Sequence, residues 1–97
     1  MQSTICDAIS TQAVLRIVYQ GSLRLVEPHC YGIGRKGNEL LRAFQIAGYS
    51  ISNSPYDWKL FPVSEIESVV ITEQRFEEPR PGYVRNDSVM QHIYCQL

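Results

Sequence analysis

A glycine-rich stretch is the first pattern in this chain that could carry chemistry. Residues 32–37 (GIGRKG) match the GxGxxG pattern, in which backbone amides at a helix N-terminus hold a pyrophosphate, and Asp57 follows twenty residues after Gly37. A dinucleotide-binding unit also needs parallel strands joined by crossover helices, and a chain of this length has room for about one such unit. We therefore interpret residues 32–37 as a glycine-rich β-turn and predict no cofactor.

The histidines and cysteines are the second group of reactive residues. His29 and Cys30 are adjacent, so on a strand they would point to opposite faces and could not form a nucleophilic dyad. His92 and Cys95 are three residues apart and could meet on a helix, but two ligands are too few for a closed zinc site. With Cys6 the cysteine count is odd, and no CxxC spacing occurs. We therefore predict no catalytic site, no metal site and no enzyme, with three free thiols typical of a cytoplasmic protein.

Three cations lie inside apolar segments, where a charge needs an explanation. Arg24, Arg42 and Lys59 are each flanked by residues typical of strands. A charge in such a place either faces solvent on one side of a sheet or converges with others on an anion. Aromatic residues near these cations in the sequence, of which Tyr19 is one, would suit stacking against a base, although aromatic residues also form the core of so small a protein.

The elements that would position these side chains are mostly strands. Residues 3–12 fit a short helix with apolar residues on one face. Residues 14–19 and 23–26 are rich in β-branched and apolar residues and flank a Gln-Gly-Ser turn, which predicts a hairpin. Residues 39–47 fit either a helix, which their propensity favours, or a strand.

The second half of the chain alternates loops with short elements. Residues 50–57 are polar and predict a loop. Residues 58–63 and 68–72 predict two short strands. Asp87 could cap a short final helix that carries apolar residues on one face.

Length and charge limit the class of protein. The chain has 97 residues, of which 44% are hydrophobic and 20% charged, as is typical of one compact domain with a small core. The formal net charge is −1, but residues 1–63 carry six Lys/Arg against four Asp/Glu, so a basic face remains compatible with the neutral total. We find no signal sequence and no stretch near the roughly 18 apolar residues of a membrane span, and we expect a cytoplasmic protein without membrane association.

The order of several short motifs resembles the WYL domain family. The matching pieces are the opening helix with Ala8-Ile9, Ile17-Val18-Tyr19 before a turn, residues 24–28 (RLVEP), residues 37–44 (GNELLRAF) at the place of the family's name-giving strand, and residues 59–66 (KLFPVSEI). The resemblance covers residues 5–76 of a single domain spanning 1–97, and it leaves 77–97 as a C-terminal extension. It implies a mainly β fold, a small SH3/Sm-like bent antiparallel sheet or barrel in which residues 39–47 form a strand. We add a short N-terminal helix and a possible short C-terminal helix.

The resemblance also implies a function. The family's domains bind nucleic acids or nucleotide-like ligands and usually follow a helix-turn-helix region in bacterial transcription regulators. This chain is similar to a stand-alone, divergent member without that region, which implies non-catalytic sensing of an anionic ligand in a regulatory setting. The implied ligand-binding residues, expected on one face of the sheet, are Tyr19, Arg24, Arg42 and Lys59. The alternative is a protein-interaction module that binds a larger regulator or forms a homodimer.

Overall fold

The helix and the strands follow the pattern of apolar residues along the chain. The computed structural model describes residues 2–48 and 56–97. The elements in chain order are α1 (Gln2–Thr11), β1 (Ala13–Tyr19), β2 (Ser22–Gly34), β3 (Glu39–Gly48), β4 (Asp57–Pro62), β5 (Ile66–Arg75) and β6 (Met90–Gln96), with a 3-10 turn (Val63–Glu65) between β4 and β5. The predictions of a mainly β fold and of an N-terminal helix are therefore confirmed.

All the described strands join one antiparallel sheet arranged around β2. The main strand order is β4-β3-β2-β1-β5. β3 pairs with one edge of β2 from Arg24 to Ile33. The other edge is shared, because β1 pairs with β2 up to Val26 and β6 pairs with it from Cys30 onward. Within the described residues the sheet does not close into a barrel, since β4 and β5 stand at opposite ends of this order.

Two irregularities in the pairing of β2 with β3 set the direction of the side chains. The register shifts between Leu25 and Val26 and again between Pro28 and Cys30. At the second shift β2 contributes an extra residue, His29, and this bulge reverses the face that the following residues occupy. Pro28 has no N–H to donate to the ladder, which is consistent with an irregularity at this point.

β3 occupies the segment whose composition fits both a helix and a strand. Leu41, Ala43 and Gln45 are buried, and Arg42 and Phe44 between them are half-buried, which is the alternation of a strand. Helix propensity is worth at most about 0.7 kcal/mol per residue between ordinary side chains. Pairing with β2 on one edge and with β4 on the other satisfies the backbone and outweighs that preference. The strand that the resemblance implies is confirmed.

The main core lies between α1 and one face of the sheet, which we call the inner face. The helix contributes Ile5, Ala8 and Ile9 to this core. Leu41 and Ala43 of β3 lie on the same face. The opposite, outer face carries a smaller apolar cluster that contains Cys30, Leu40 and Met90. The sheet therefore has two environments, and the face that a residue occupies decides what it can contact.

The C-terminal extension forms a strand where we predicted a short helix. Residues 90–96 pair with the last part of β2 as β6. The edge of β2 beyond β1 offers hydrogen-bond partners to an extended segment, whereas a helix of two turns is marginal by itself. The prediction of a C-terminal helix is therefore wrong.

The cysteines also differ from the prediction. Cys6 of α1 and Cys95 of β6 form a disulfide, with Cα atoms 5.7 Å apart, and Cys30 is a buried free thiol. The prediction of three free thiols is wrong. Sequence spacing does not reveal the pair, because its members are 89 residues apart and meet only where β6 and α1 pack together. The disulfide also removes Cys95 as a metal ligand.

The glycine-rich stretch and the predicted loop lie on either side of β3. The glycine-rich stretch forms the turn into β3, where Gly37 has a φ of +82° and donates a backbone hydrogen bond to the Gly34 carbonyl at 3.0 Å. The predicted β-turn is therefore confirmed. The loop predicted over residues 50–57 lies largely outside the described residues, and Asp57 begins β4. No helix in the described ranges is long and apolar enough to cross a membrane.

Candidate ligand-binding site

Arg24 is a buried cation on the inner face of the sheet. Its exposed fraction is only 4%. Its Nη1 donates to Oε1 of Gln45 at 3.4 Å, and its Nη2 donates to Oε1 of Gln20 at 3.3 Å. Its Nε is buried and has no hydrogen-bond partner among the described residues. A buried charge is normally paired with an opposite charge and fully hydrogen-bonded, so Arg24 departs from the rule for folded proteins.

Two aromatic rings hold the Arg24 guanidinium in place. Its carbon atom lies 4.9 Å from the centre of the Tyr19 ring and 6.0 Å from that of Phe61. The two rings meet edge to face with centres 5.0 Å apart. Attraction between a cation and a ring face is worth about 0.5–2 kcal/mol, which fixes the orientation of the guanidinium without neutralising its charge.

Tyr19, which was predicted to stack against a base, has its ring against the Arg24 guanidinium. Burial raises the pKa of the Tyr19 hydroxyl, and the nearby Glu65 carboxylate raises it further, while Arg24 opposes both. The hydroxyl therefore stays protonated at neutral pH and can act as a hydrogen-bond donor or acceptor.

The acceptors that face Arg24 are weak and one of them is replaceable. Both are neutral amide oxygens at long distances, and among the described residues Arg24 forms no ion pair. Gln20 is exposed and lies in the tight turn between β1 and β2, with a φ of +53°. An incoming anion could take the place of the Gln20 amide and reach Nη2 and Nε, which is the fork that carboxylates and phosphates bind.

Lys59 and Arg42 lie on different faces of the sheet. Lys59 pairs with Ala43, so it shares the inner face with Ala43 and Gln45. Arg42 precedes Ala43 and therefore points to the outer face, where its Nε donates to Oδ2 of Asp87 at 2.7 Å. The prediction that Arg42 converges with Arg24 and Lys59 is wrong.

Two bulges, at Ile46 of β3 and at His29 of β2, accompany the separation of Arg24 from Arg42. Arg24 and Cys30 are six residues apart on β2 and would share a face in a regular strand. The extra residue at His29 turns Cys30, which pairs with Arg42, to the outer side. Sequence alternation alone does not place such bulges, and the only hint is Pro28 immediately before His29.

The outer face holds an ion pair that the sequence did not indicate. Glu27 is only 3% exposed, and Arg80 binds both of its carboxylate oxygens, at 2.6 and 3.1 Å. The Arg80 guanidinium also lies 4.7 Å from the centre of the Phe44 ring. The signal that could have found this pair is the position of Glu27 inside an apolar strand, where a lone carboxylate requires a partner.

Comparisons with known proteins add no family to this description. Models of protein families, curated proteins and solved structures contain no match to the chain. The resemblance to the WYL family therefore stays a prediction, and the geometry around Arg24 is the main guide to function.

Proposed function

We propose that this domain is non-catalytic and binds a phosphate-bearing ligand, a nucleotide or a short nucleic acid, through Arg24. The observation that carries the proposal is a buried guanidinium that has only neutral acceptors among the described residues and an unbonded Nε. Burial of an incompletely paired charge costs free energy, which an arriving anion would recover. Each charge-assisted hydrogen bond to a phosphate is worth about 1.5–3 kcal/mol.

The surroundings of Arg24 support binding more than catalysis. The rings of Tyr19 and Phe61 hold the guanidinium before any ligand arrives, so less conformational entropy is lost on binding. Lys59 lies on the same face of the sheet, two strands from Arg24 on β4. Among the described residues no carboxylate pair or histidine–nucleophile pair adjoins this site. The proposed regulatory setting rests on the resemblance to the WYL family alone.

Substitution of Arg24 by methionine tests the proposal. The probes are inorganic phosphate, a nucleoside monophosphate and a short single-stranded DNA, each titrated at low salt and followed by calorimetry and by the arginine Nε–H signals in ¹H–¹⁵N spectra. In the wild-type protein the Arg24 Nε–H signal should shift on binding, and affinity for the strand should fall steeply with added salt. We expect Arg24→Met to abolish binding.

The stability of the same variant separates binding from folding. Removal of a buried, incompletely paired cation should leave the melting temperature equal or higher. Arg16→Met is the matched control, because Arg16 is an exposed arginine on β1, and it should change neither binding nor stability. Absence of wild-type binding to every probe, or unchanged binding by Arg24→Met, would show that Arg24 is not an anion site.

A second candidate function, protein binding, is favoured by an apolar area on the outer face. Val18 pairs with Leu23, and Arg16 pairs with both Leu25 and Val70, so these side chains lie together on β1, β2 and β5. Leu23 is 57% exposed and Val70 is 40% exposed. Contiguous exposed apolar side chains on a sheet often mark contacts with another protein.

A further inference from the structure

A cavity on the outer face lies away from Arg24. Its volume is about 330 Å³, near the lower end of the roughly 300–1,000 Å³ range of small-molecule sites. Arg42 of β3, Trp58 of β4 and the segment 82–88 form its walls. Arg42 was predicted to bind a ligand together with Arg24, but it lies on the opposite face of the sheet.

One wall of the cavity is aromatic and rigid. The indole N–H of Trp58 donates to the Pro81 carbonyl at 3.0 Å, and the ring meets those of His29 and Phe44 edge to face, with centres 4.7 and 5.4 Å away. Tyr83 lies nearly parallel to the indole, at 24°, with centres 6.3 Å apart. Since the polar group of Trp58 is already used, the ring can offer a ligand only its apolar surface.

A glycine keeps the backbone close to this wall. Gly82 has a φ of +92°, a conformation that other residues rarely adopt. A Cβ atom at this position would stand 3.2 Å from Nε1 of Trp58, tighter than an ordinary contact. The positive φ therefore favours glycine here, and any larger residue would also press against the indole.

The other wall of the cavity is polar but has no net charge. Asp87 accepts a hydrogen bond from Nε of Arg42 at 2.7 Å with one oxygen and from the Val89 N–H at 3.1 Å with the other. Burial opposes ionisation of Asp87, but these hydrogen bonds outweigh it and hold the pKa of the carboxyl below its usual value. Both Nη groups of Arg42 lack a hydrogen-bond partner within residues 2–48 and 56–97, so they remain available as donors.

We propose that this cavity binds a neutral, planar ring that carries carbonyl groups, of the pyrimidine nucleobase class. The ring stacks on Trp58, and a ring carbonyl accepts hydrogen bonds from the Nη groups of Arg42. A neutral ligand is favoured over an anion because Asp87 already balances the charge of Arg42. Stacking of a base on an aromatic side chain is a common source of affinity in nucleobase sites. This site is independent of the proposed phosphate site, which lies on the other face of the sheet.

Tryptophan fluorescence can report binding at this cavity, because Trp58 is the only tryptophan in the chain. The probe is uridine, which has ring carbonyls and no phosphate, titrated into the wild-type protein with excitation where uridine does not absorb. We expect saturable quenching of Trp58 fluorescence. Ligand-detected nuclear magnetic resonance gives a second readout, in which Trp58→Leu should lose the contact signals of the pyrimidine ring.

Variants assign the contact to Arg42. Arg42→Lys keeps a cation beside Asp87 but loses the planar fork, so uridine should bind about tenfold more weakly while the fold is retained. Arg16→Lys, the same exchange at an exposed site, and Arg24→Met should both bind uridine as the wild type does. Inorganic phosphate should leave Trp58 fluorescence unchanged.

Four outcomes would overturn the proposal. These are the absence of saturable uridine binding in both readouts, unchanged affinity in Arg42→Lys, loss of uridine binding in Arg24→Met, and tighter binding of benzoate, a planar anion, than of uridine. Uridine binding without any phosphate binding would support this site and reject the Arg24 function. Phosphate binding to Arg24 without uridine binding would do the reverse.

Discussion

His29 connects the bulge of β2 to the segment that follows β5. Its Nδ1 lies 2.8 Å from the Glu27 carbonyl oxygen, and its Nε2 accepts the Arg80 backbone N–H at 3.0 Å. This pattern requires a neutral ring with its proton on Nδ1. His29 therefore serves to anchor the backbone of residue 80, which places the Arg80 side chain on Glu27, and neither ring nitrogen is available to activate a nucleophile.

The neutral state of His29 predicts how stability depends on pH. Burial lowers its pKa, the Glu27 carbonyl and carboxylate oppose this, and Arg80 lowers it further. Because the folded pKa lies below the unfolded value of about 6.5, the unfolded chain binds the proton more readily. The contribution to stability is complete above about pH 6.5, and it should be lost at up to about 1.4 kcal/mol per pH unit as pH falls toward the folded pKa.

Urea unfolding at a series of pH values measures how the free energy of unfolding changes with pH. His29→Gln should remove the pH dependence of the free energy of unfolding, whatever its effect at neutral pH. His92→Gln is the matched control, since His92 is the other histidine and is exposed, and it should retain the wild-type slope. A slope that persists in His29→Gln and disappears in His92→Gln would contradict the assignment.

At the scale of elements, β6 extends the sheet and carries the covalent link to α1. β6 continues the edge of β2 where β1 ends, and α1 packs against β1, β2, β5 and β6. The Cys6–Cys95 disulfide joins the first and last elements of the chain across 89 residues. A link that closes so long a loop restricts the unfolded chain strongly, and such links contribute about 2–4 kcal/mol.

Removal of this disulfide should lower the free energy of unfolding by about 2–4 kcal/mol. The variant is Cys6→Ser with Cys95→Ser, compared with the wild type by urea unfolding. Reductant should destabilise the wild type and leave the variant unchanged, which separates the bond from the side-chain exchange. Thiol titration of unreduced, denatured wild-type protein should count one group, Cys30, and a count of three would show that the disulfide does not form.

At the scale of the whole molecule, the two halves of the outer face differ. Residues 80–87 cover the part over β3 and β4 through the Arg80–Glu27 and Arg42–Asp87 pairs. The part over β1, the first residues of β2 and β5 keeps its exposed leucine and valine side chains, and Arg16 among them is exposed as well.

The protein-binding candidate predicts self-association through this apolar area. Analytical ultracentrifugation over a wide concentration range should show dimers of the wild type, and Leu23→Lys should shift the protein to monomer. Leu23 is already 57% exposed, so the melting temperature should change little. Lys36→Leu, an exchange at an exposed turn on the far end of β2, is the control and should leave association unchanged. A monomer at every concentration would remove self-association from this candidate.

The sequence by itself determined the elements whose signals are local. Apolar periodicity and turn residues within a few positions of one another predict three of them: the hairpin of β1 and β2, the glycine turn before β3 and the helix at the N-terminus. For residues 39–47 the local signal was divided between helix and strand, and only the resemblance to the WYL family implied a strand. Arg24 also stood out in the sequence, because a charge within an apolar strand is unusual wherever the strand lies, and the structure places it in a buried position.

Only the tertiary structure decided which residues meet. The bulges at Ile46 of β3 and His29 of β2 each add a single residue, yet with them Arg24 and Arg42 lie on opposite faces, because side chains alternate with a period of two. The Cys6–Cys95 disulfide joins residues 89 positions apart, and the Arg80–Glu27 pair joins residues 53 positions apart. No local sequence pattern predicts contacts between residues so far apart. β6 is a strand because β2 has an edge to pair with, and that edge exists only after the sheet has formed.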